Sequence, residues 1–510
     1  MAALTTESCN TLALAIKDVL DFMNVHEAAS QNASPRAPAP ERQMGAPREA
    51  AGFSKRAVPA MTPAEIAQPP PADFLSPRTD PPAKRAKLVG YDNFVRHNPH
   101  SDRFEVKRFH HLEITCGDAK STAAVLCTAL GFRPLAHSNM MTGNTTYASY
   151  VVGSGSTTFV CTAPYGDPSS TTSVKPPPNP SFVPANARDK FAKHGLHVSA
   201  VGILVTDAAY AHARAVAGGA ASLSPPTKDE ETGVVTAEVC LYPGGDAALR
   251  FVSGEHLDTI PFLPGYQKSM AYGIDAPGGG TYGIERIDHV VGNVPDLLAA
   301  VDYITAACGF HEFAEFTAED VGTVDSGLNS MVLASNTEAV LLPVNEPTGG
   351  GKRKSQILTY LEQHGGPGVQ HIALKTNDIF ATVAAMRAAH RACGGFELME
   401  RPREQYYDKL RERLGEGVID DETARQCREL GILADADDQG VLLQIFTKPI
   451  GDRSTLFLEI IQRVGCTKDP VTKARIDQTP GCGGFGKGNF HELFRAIEEY
   501  ETRAGINKIG

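Results

Sequence analysis

The run Thr455-Leu456-Phe457-Leu458-Glu459-Ile460-Ile461-Gln462 has the composition of a buried strand and carries a carboxylate at its centre. An isolated buried carboxylate is costly, and it either takes up a proton or finds a cation. An arginine partner, or a position turned to solvent, would account for one such residue taken alone. Two upstream histidines, His289 and His371, occupy equivalent places in two similar segments and favour a metal instead. Two imidazoles and a carboxylate on strand scaffolding leave coordination positions open, and this is the donor set of non-haem Fe(II) oxygenases. The absence of cysteine from the set counts against structural zinc. One Fe(II) per chain, held by His289, His371 and Glu459, is the expectation.

Such side chains converge only if their strands return in a fixed register. From Phe109 onward the chain repeats a strand, an Asp and a helix ending near Gly. The segments His111 to Asp118, Ala200 to Asp207, His289 to Asp296 and His371 to Asp378 all place Asp seven residues on. Asp at a helix start accepts hydrogen bonds from the free first-turn N–H groups. Gly131, Gly218, Gly309 and Gly394 fall where a left-handed C-terminal residue is wanted. Strand-like runs follow each helix, among them 330–334, 339–342, 440–446 and 456–461. The pattern predicts an α+β fold of four βαβββ modules paired into two domains. The expected division is a disordered Ala/Pro-rich extension over 1–86, a metal-free domain over 87–260, a linker over 261–283 and a metal-bearing domain over 284–510. The linker holds Gly278-Gly279-Gly280 as its loose part. The first pair of modules offers His111 and then Ala200, and its last strand, Ala248-Leu249-Arg250-Phe251-Val252, has no carboxylate. His110 and His111 are therefore read as structural.

Residues two apart on a strand share a face, so Phe457 and Ile461 accompany Glu459, and Gln444 stands between Leu442 and Phe446. A buried amide needs partners, from the scaffold or from a polar ligand. The glycine-dense Gly483 to Phe490 lacks the Lys-Ser/Thr pair and the GxGxxG spacing of a phosphate loop. Phe490, Leu493, Phe494, Ile497 and Tyr500 then form one apolar helical stripe, which suits either a core helix or a lid hinged on glycines. Tyr406-Tyr407, Lys409, Arg411 and Arg413, in the excursion 401–438, read as a solvated helix pair.

A net charge of −11 gives no footprint for nucleic acid and disfavours anionic membranes. No run has the roughly 18 apolar residues of a membrane helix. Ten cysteines without CxxC or regular spacing predict neither a disulfide framework nor a zinc site, and suit a reducing compartment. A cytoplasmic chain is expected, with the plastid as alternative; Glu7, Asp18, Asp21 and Glu27 argue against a transit peptide. Lys84-Arg85-Ala86-Lys87 reads as a solvated charge run in preference to an import signal.

The segments Ile287 to Pro295, Gly368 to Ala373, Leu456 to Arg463 and Gly483 to Phe490 resemble the 4-hydroxyphenylpyruvate dioxygenase family, most closely its plant and green-algal branch. The resemblance runs from about Lys87 to Arg503 and leaves out the N-terminal extension and a Ser/Pro insert over 167–180. It implies the vicinal-oxygen-chelate (glyoxalase/bleomycin-resistance-like) fold, two open-barrel domains, a C-terminal lid helix and Fe(II) on His289, His371 and Glu459. It also implies Ser330, Asn345, Gln356, Gln370 and Gln444 as polar catalytic residues, with Gln370 adjacent to a ligand. Pro343, Phe446, Phe457, Phe485, Asn489 and Phe490 would bind substrate. The implied reaction takes 4-hydroxyphenylpyruvate and O2 to homogentisate and CO2 by oxidative decarboxylation, ring hydroxylation and side-chain migration. The substrate brings its own 2-oxo acid, so no 2-oxoglutarate is needed. Tyrosine and phenylalanine catabolism, homogentisate supply for plastoquinone and tocopherol, and a homodimer are implied in the same way. Three alternatives stay open: a 4-hydroxymandelate synthase, which oxidises the benzylic carbon; a non-catalytic binding protein of the same fold; and zinc glyoxalase or ring-cleaving chemistry. Pro343 and Asn345 favour the dioxygenase over the first.

Overall fold

The computed structural model describes residues 88–166, 177–269, 281–321, 327–349, 353–467 and 478–506. The N-terminal extension with its basic cluster, Gly278 to Gly280, and residues 167–176 of the insert lie outside them.

The first half supplies β1 (Val106–Thr115), β2 (Arg133–Ser138), β3 (Tyr147–Ser154), β4 (Thr157–Pro164), β5 (His197–Val205), β6 (Ser222–Lys228), β7 (Val235–Cys240), β8 (Ala248–Ser253) and β9 (Gln267–Lys268). They form one sheet in the order β6-β7-β8-β5-β1-β4-β3-β2-β9. The second half supplies β10 (Ile284–Asn293), β11 (His311–Phe316), β12 (Leu328–Ala334), β13 (Leu341–Pro347), β14 (Gly368–Thr376), β15 (Leu433–Ala436), β16 (Gly440–Phe446) and β17 (Phe457–Gly465). Their sheet order is β11-β12-β13-β10-β14-β17-β16-β15.

Each half holds two βαβββ modules. In every module the first strand lies parallel to the fourth, as β1 with β4, β5 with β8, β10 with β13 and β14 with β17. The first strands join the modules antiparallel, β1 to β5 and β10 to β14. Register shifts along β1–β5 fall at Val106/Arg108, Phe109/His111 and Glu113/Ile114; along β10–β14 they fall at Ile284/Arg286, Ile287/His289 and Val291/Gly292. The same three irregularities thus recur in both halves. A bulge re-aims side chains beside a site, so the fold reuses one device twice.

The repeated Asp residues cap their helices. Asp118, Asp207, Asp296 and Asp378 each accept a bond from the backbone N–H three residues on, at 2.7 to 3.0 Å. Each cap contributes about 1 kcal/mol. Gly131 and Gly309 adopt the left-handed conformation, and Gly394 also has positive φ. Gly218 does not: its φ is −81°, and an added Cβ would strike the backbone of Ala306. That glycine is there for close packing.

Alternation sorts the central strands of the second half. Val290, Ile372, Leu374, Leu458 and Ile460 are fully buried in the main core cluster, at about 1.5–3 kcal/mol each. His289, His371 and Glu459 occupy the opposite face.

Three expectations need correction. The stretch 261–283 is not linker throughout: β9 pairs with β2, and Phe262 and Leu263 pack with Ala136, Val151 and Val160 of the first half. Cys466 and Cys482 form a disulfide with Cα atoms 6.0 Å apart. Their separation of 16 residues follows no motif; chain topology makes them neighbours. Finally, the excursion 401–438 contains helices Glu404–Asp408, Leu410–Leu414 and Asp421–Leu430, but it is not simply solvated, because Tyr407 and Leu410 are buried.

Candidate metal centre

The strand register builds the centre. His289 on β10 lies opposite Ala373 on β14, and Ala373 lies opposite Glu459 on β17. The methyl group of Ala373 leaves room for its two long neighbours to lean together over it. His371, two residues earlier on β14, shares its face. Glu459 Oε2 consequently sits 3.1 Å from His289 Nε2 and 3.5 Å from His371 Nε2. The three ligating atoms all lie within 4.8 Å of one another and all three residues are buried. Two imidazole nitrogens and one carboxylate oxygen, gathered this closely in a buried site, fit a divalent transition metal.

The remaining imidazole nitrogens are held from behind. His289 Nδ1 faces Asp288 Oδ1 at 3.0 Å, and His371 Nδ1 faces Gln370 Oε1 at 3.0 Å. Such outer partners fix the ring and its tautomer. Burial alone would raise the Glu459 carboxyl, but hydrogen bonds and attraction from both imidazoles reverse this and hold it at about 2. Burial also works against Asp288; the charges of Arg463 and Arg286, with the bond to His289, hold it well below the usual carboxylate range. Burial lowers His371, with Glu459 acting against it. At His289 burial is outweighed by Asp288 and Glu459, and the imidazole is raised.

A narrow cavity of about 50 Å³ opens over these ligands. Ser330, Pro343, Asn345, Gln356, Gln370, Gln444, Phe446, Phe457, Phe485 and Phe490 all line it beside His289, His371 and Glu459. Phe457 stacks on the His371 ring at 4.8 Å between centroids, and Phe485 meets His289 edge-on at 5.3 Å. Gln356 Oε1 and Gln444 Oε1 are buried without a hydrogen-bond partner. An unpaired buried amide oxygen costs about 1–3 kcal/mol, a cost that a polar ligand in the cavity would relieve. Gly486 carries no Cβ where one would fall on the Gln444 amide.

The C-terminal helix Phe490–Ala504 covers the cavity with Phe490, Leu493, Phe494 and Ile497. Asn489, expected among the substrate contacts, does not line it. Its Oδ1 accepts from Tyr406 Oη at 2.8 Å, with Arg413 Nη2 at 3.4 Å. It anchors the start of the covering helix to the 401–438 excursion. Tyr406 and Arg413 therefore serve the site at one remove, which their charged, helical surroundings hid in the sequence. Phe316, Leu328 and Val332 also line the cavity; alternation marks them as buried without saying which interior they face.

The first half repeats the row with other chemistry. His111 lies opposite Gly202, and Gly202 lies opposite Arg250, while Ala200 stands where the second half has His371. Arg250 Nη1 is 2.9 Å from His111 Nε2, and its guanidinium pairs with Glu113 and Glu238. A cation occupies the carboxylate's place.

Comparison with known proteins agrees with this geometry. The sequence model of the Glyoxalase/Bleomycin resistance protein/Dioxygenase superfamily matches residues 108–245 and 286–444. A 4-hydroxyphenylpyruvate dioxygenase from Arabidopsis thaliana is 53% identical over 424 residues, 81% of this chain and 92% of the relative. The Daucus carota protein of the same name is 54% identical, covering 83% and 93%. That from Danio rerio is 35% identical, covering 79% and 93%. Among solved structures, a mutant 4-hydroxymandelate synthase from Streptomyces coelicolor superposes with a TM-score of 0.60 at 24% identity, over 78% of this chain and 99% of its own. That likeness shows the shared fold.

Proposed function

The chain belongs to the 4-hydroxyphenylpyruvate dioxygenases, within the glyoxalase/bleomycin resistance protein/dioxygenase superfamily, and from that membership we propose that it converts 4-hydroxyphenylpyruvate and O2 to homogentisate and CO2 on an Fe(II) held by His289, His371 and Glu459. One observation carries the reading: the three donors meet at the floor of an aromatic cavity that also holds unpartnered amide oxygens. Fe(II) bound there supplies Lewis acidity and dioxygen activation at the coordination positions that the protein leaves open.

The chain's own residues do the rest. Phe446, Phe457, Phe485 and Phe490 offer apolar faces for the substrate ring and exclude water from the reacting atoms. Gln356 and Gln444 present acceptors to a substrate hydroxyl; Ser330, Asn345 and Gln370 complete the polar lining. Pro343 shapes the wall beside Asn345. A cavity of about 50 Å³ is far below the several hundred Å³ usual for a ligand site, so its lining opens to admit an aromatic 2-oxo acid, and we assign that movement to the C-terminal helix. The activity belongs to tyrosine and phenylalanine catabolism and to homogentisate supply for plastoquinone and tocopherol. The first half, with Arg250 at the ligand position, acts as scaffold, and the working unit is a homodimer. No helix among the described residues is long and apolar enough to cross a membrane.

Oxygen uptake and product identification on Fe(II)-loaded protein test the reading. Homogentisate formed in step with oxygen consumed is the expected result. 4-Hydroxymandelate would move the oxidation to the benzylic carbon, and no uptake with iron bound would remove the substrate assignment.

A further inference from the structure

Behind the metal centre lies an ion pair, of which only the contact of Asp288 with His289 has been given a role above. Asp288 and Arg463 have side chains with 0% exposure, and Arg463 Nη2 donates to Asp288 Oδ1 at 2.7 Å. Arg463 Nε adds bonds to both Asp288 oxygens at 3.1 and 3.2 Å. On one side Asp288 holds His289 Nδ1 at 3.0 Å. On the other, Arg463 Nη1 donates to the carbonyls of Cys482 and Gly484 at 2.6 and 2.7 Å. Those carbonyls belong to the glycine-rich turn that leads into the covering helix. The guanidinium also lies 5.5 Å from the centre of the Phe485 ring, whose edge meets His289. One unbroken series of polar contacts therefore runs from the lid turn to a metal ligand.

Local geometry makes this possible. The register shift between Ile287 and His289 leaves Asp288 as the extra residue of a bulge, so adjacent side chains can both point inward. Arg463 follows Glu459 by four residues on β17 and shares its face.

The first half shows that the fold does not require the pair. There the same bulge holds His110, and the place of Arg463, four residues beyond Arg250, is taken by Gly254. The pair exists only where the three metal donors exist. Burying two charges is weak stabilisation at best, which also argues for a role beyond folding.

We propose that Asp288 and Arg463 are positioning residues that couple the metal centre to the lid: they orient His289 and tie it to the turn 482–484, so that filling the metal site and docking the C-terminal helix stabilise each other. The coupling rests on the metal reading given above. Linkage makes it reciprocal: whatever metal contributes to lid order, lid order contributes to metal affinity.

The test is anaerobic titration of apoprotein with ferrous iron alone, combined with hydrogen exchange of peptides covering 481–490. In the wild type, iron should slow exchange in that segment. Asp288→Asn should weaken iron binding by about 10–100-fold and should remove most of the slowing even at saturating iron. Because Asp288→Asn strands Arg463, the double variant Asp288→Asn/Arg463→Gln removes both fully buried charges, leaving the part-exposed Arg286 that faces Asp288 Oδ2 at 2.9 Å, and should show the same two losses. Wild-type affinity in the variants, or undiminished iron-dependent slowing, overturns the coupling alone. Iron that leaves wild-type exchange at 481–490 unchanged overturns it without recourse to any variant. A wild type that binds no iron overturns the metal reading and the coupling with it.

Discussion

Glu459 is the residue on which the site's electrostatics turn. It is the only anion among the three donors, and hydrogen bonds from both imidazoles keep it ionised. Glu459→Gln retains size and one acceptor oxygen but removes the charge. Turnover should vanish and iron affinity should fall; full activity would sink the triad assignment. Gln444 offers a finer test, since its Oε1 is buried and unpartnered in the scaffold. Gln444→Ala should lower kcat/KM by about tenfold or more, the equivalent of about 1–3 kcal/mol for a lost buried hydrogen bond, with thermal stability little changed. An unaltered kcat/KM would mean that no substrate atom meets this amide. At this scale much was legible in the sequence. A carboxylate in an apolar run and two histidines at matching repeat positions stand out because each is expensive unless used. Asp288 and Arg463 did not stand out, because an Asp beside a His and an Arg at a strand end carry no such penalty until a bulge and a turn bury them together.

Among the elements, the C-terminal helix is the one to which we assign a dynamic task. Its apolar stripe was readable from spacing, but its choice between core and lid was not, since both bury the same face. Two observations support the lid we propose: Phe490, Leu493, Phe494 and Ile497 line the cavity, and the turn before them carries positive φ at Gly481, Gly483, Gly484 and Gly486. Phe490→Ala removes a ring that packs on Phe316 at 5.5 Å. It should raise KM or lower kcat at least several-fold, while the melting temperature falls by less than a core Phe→Ala truncation would cause, since such truncations cost about 3–5 kcal/mol. Unchanged kinetics would return the helix to a structural role. The excursion 401–438 was misread at this scale for an instructive reason. Its helices present charge at helical spacing, as any solvated pair does, and only three-dimensional proximity shows Tyr406 and Arg413 gripping Asn489 at the helix start.

At the scale of the whole molecule, two halves share strand order, capping residues and even the positions of their register shifts, yet one carries donors for a metal and the other a buried cation. Duplication explains the shared frame; the change of two ligand positions, Ala200 for His371 and Arg250 for Glu459, explains the divergence. Arg250 occupies the register place of Glu459 and neutralises Glu113 and Glu238, with side-chain exposures of 10%, 12% and 15%. A metal cation at that place would meet a guanidinium already there. The first half thereby fills with a buried ion cluster the place that the second gives to metal donors. Arg250→Met tests this division, because it leaves two carboxylates buried without a cation. The variant should lose about 3–5 kcal/mol of stability, the usual cost of breaking a buried pair from one side, and urea unfolding would measure it. The folded fraction should still bind one iron per chain and turn over at the wild-type rate, because the second site shares no ligand with the first. Undiminished stability would mean that water already solvates the Glu113–Arg250–Glu238 group. A fall in turnover per folded molecule would mean that the two halves communicate, and that the first is more than scaffold.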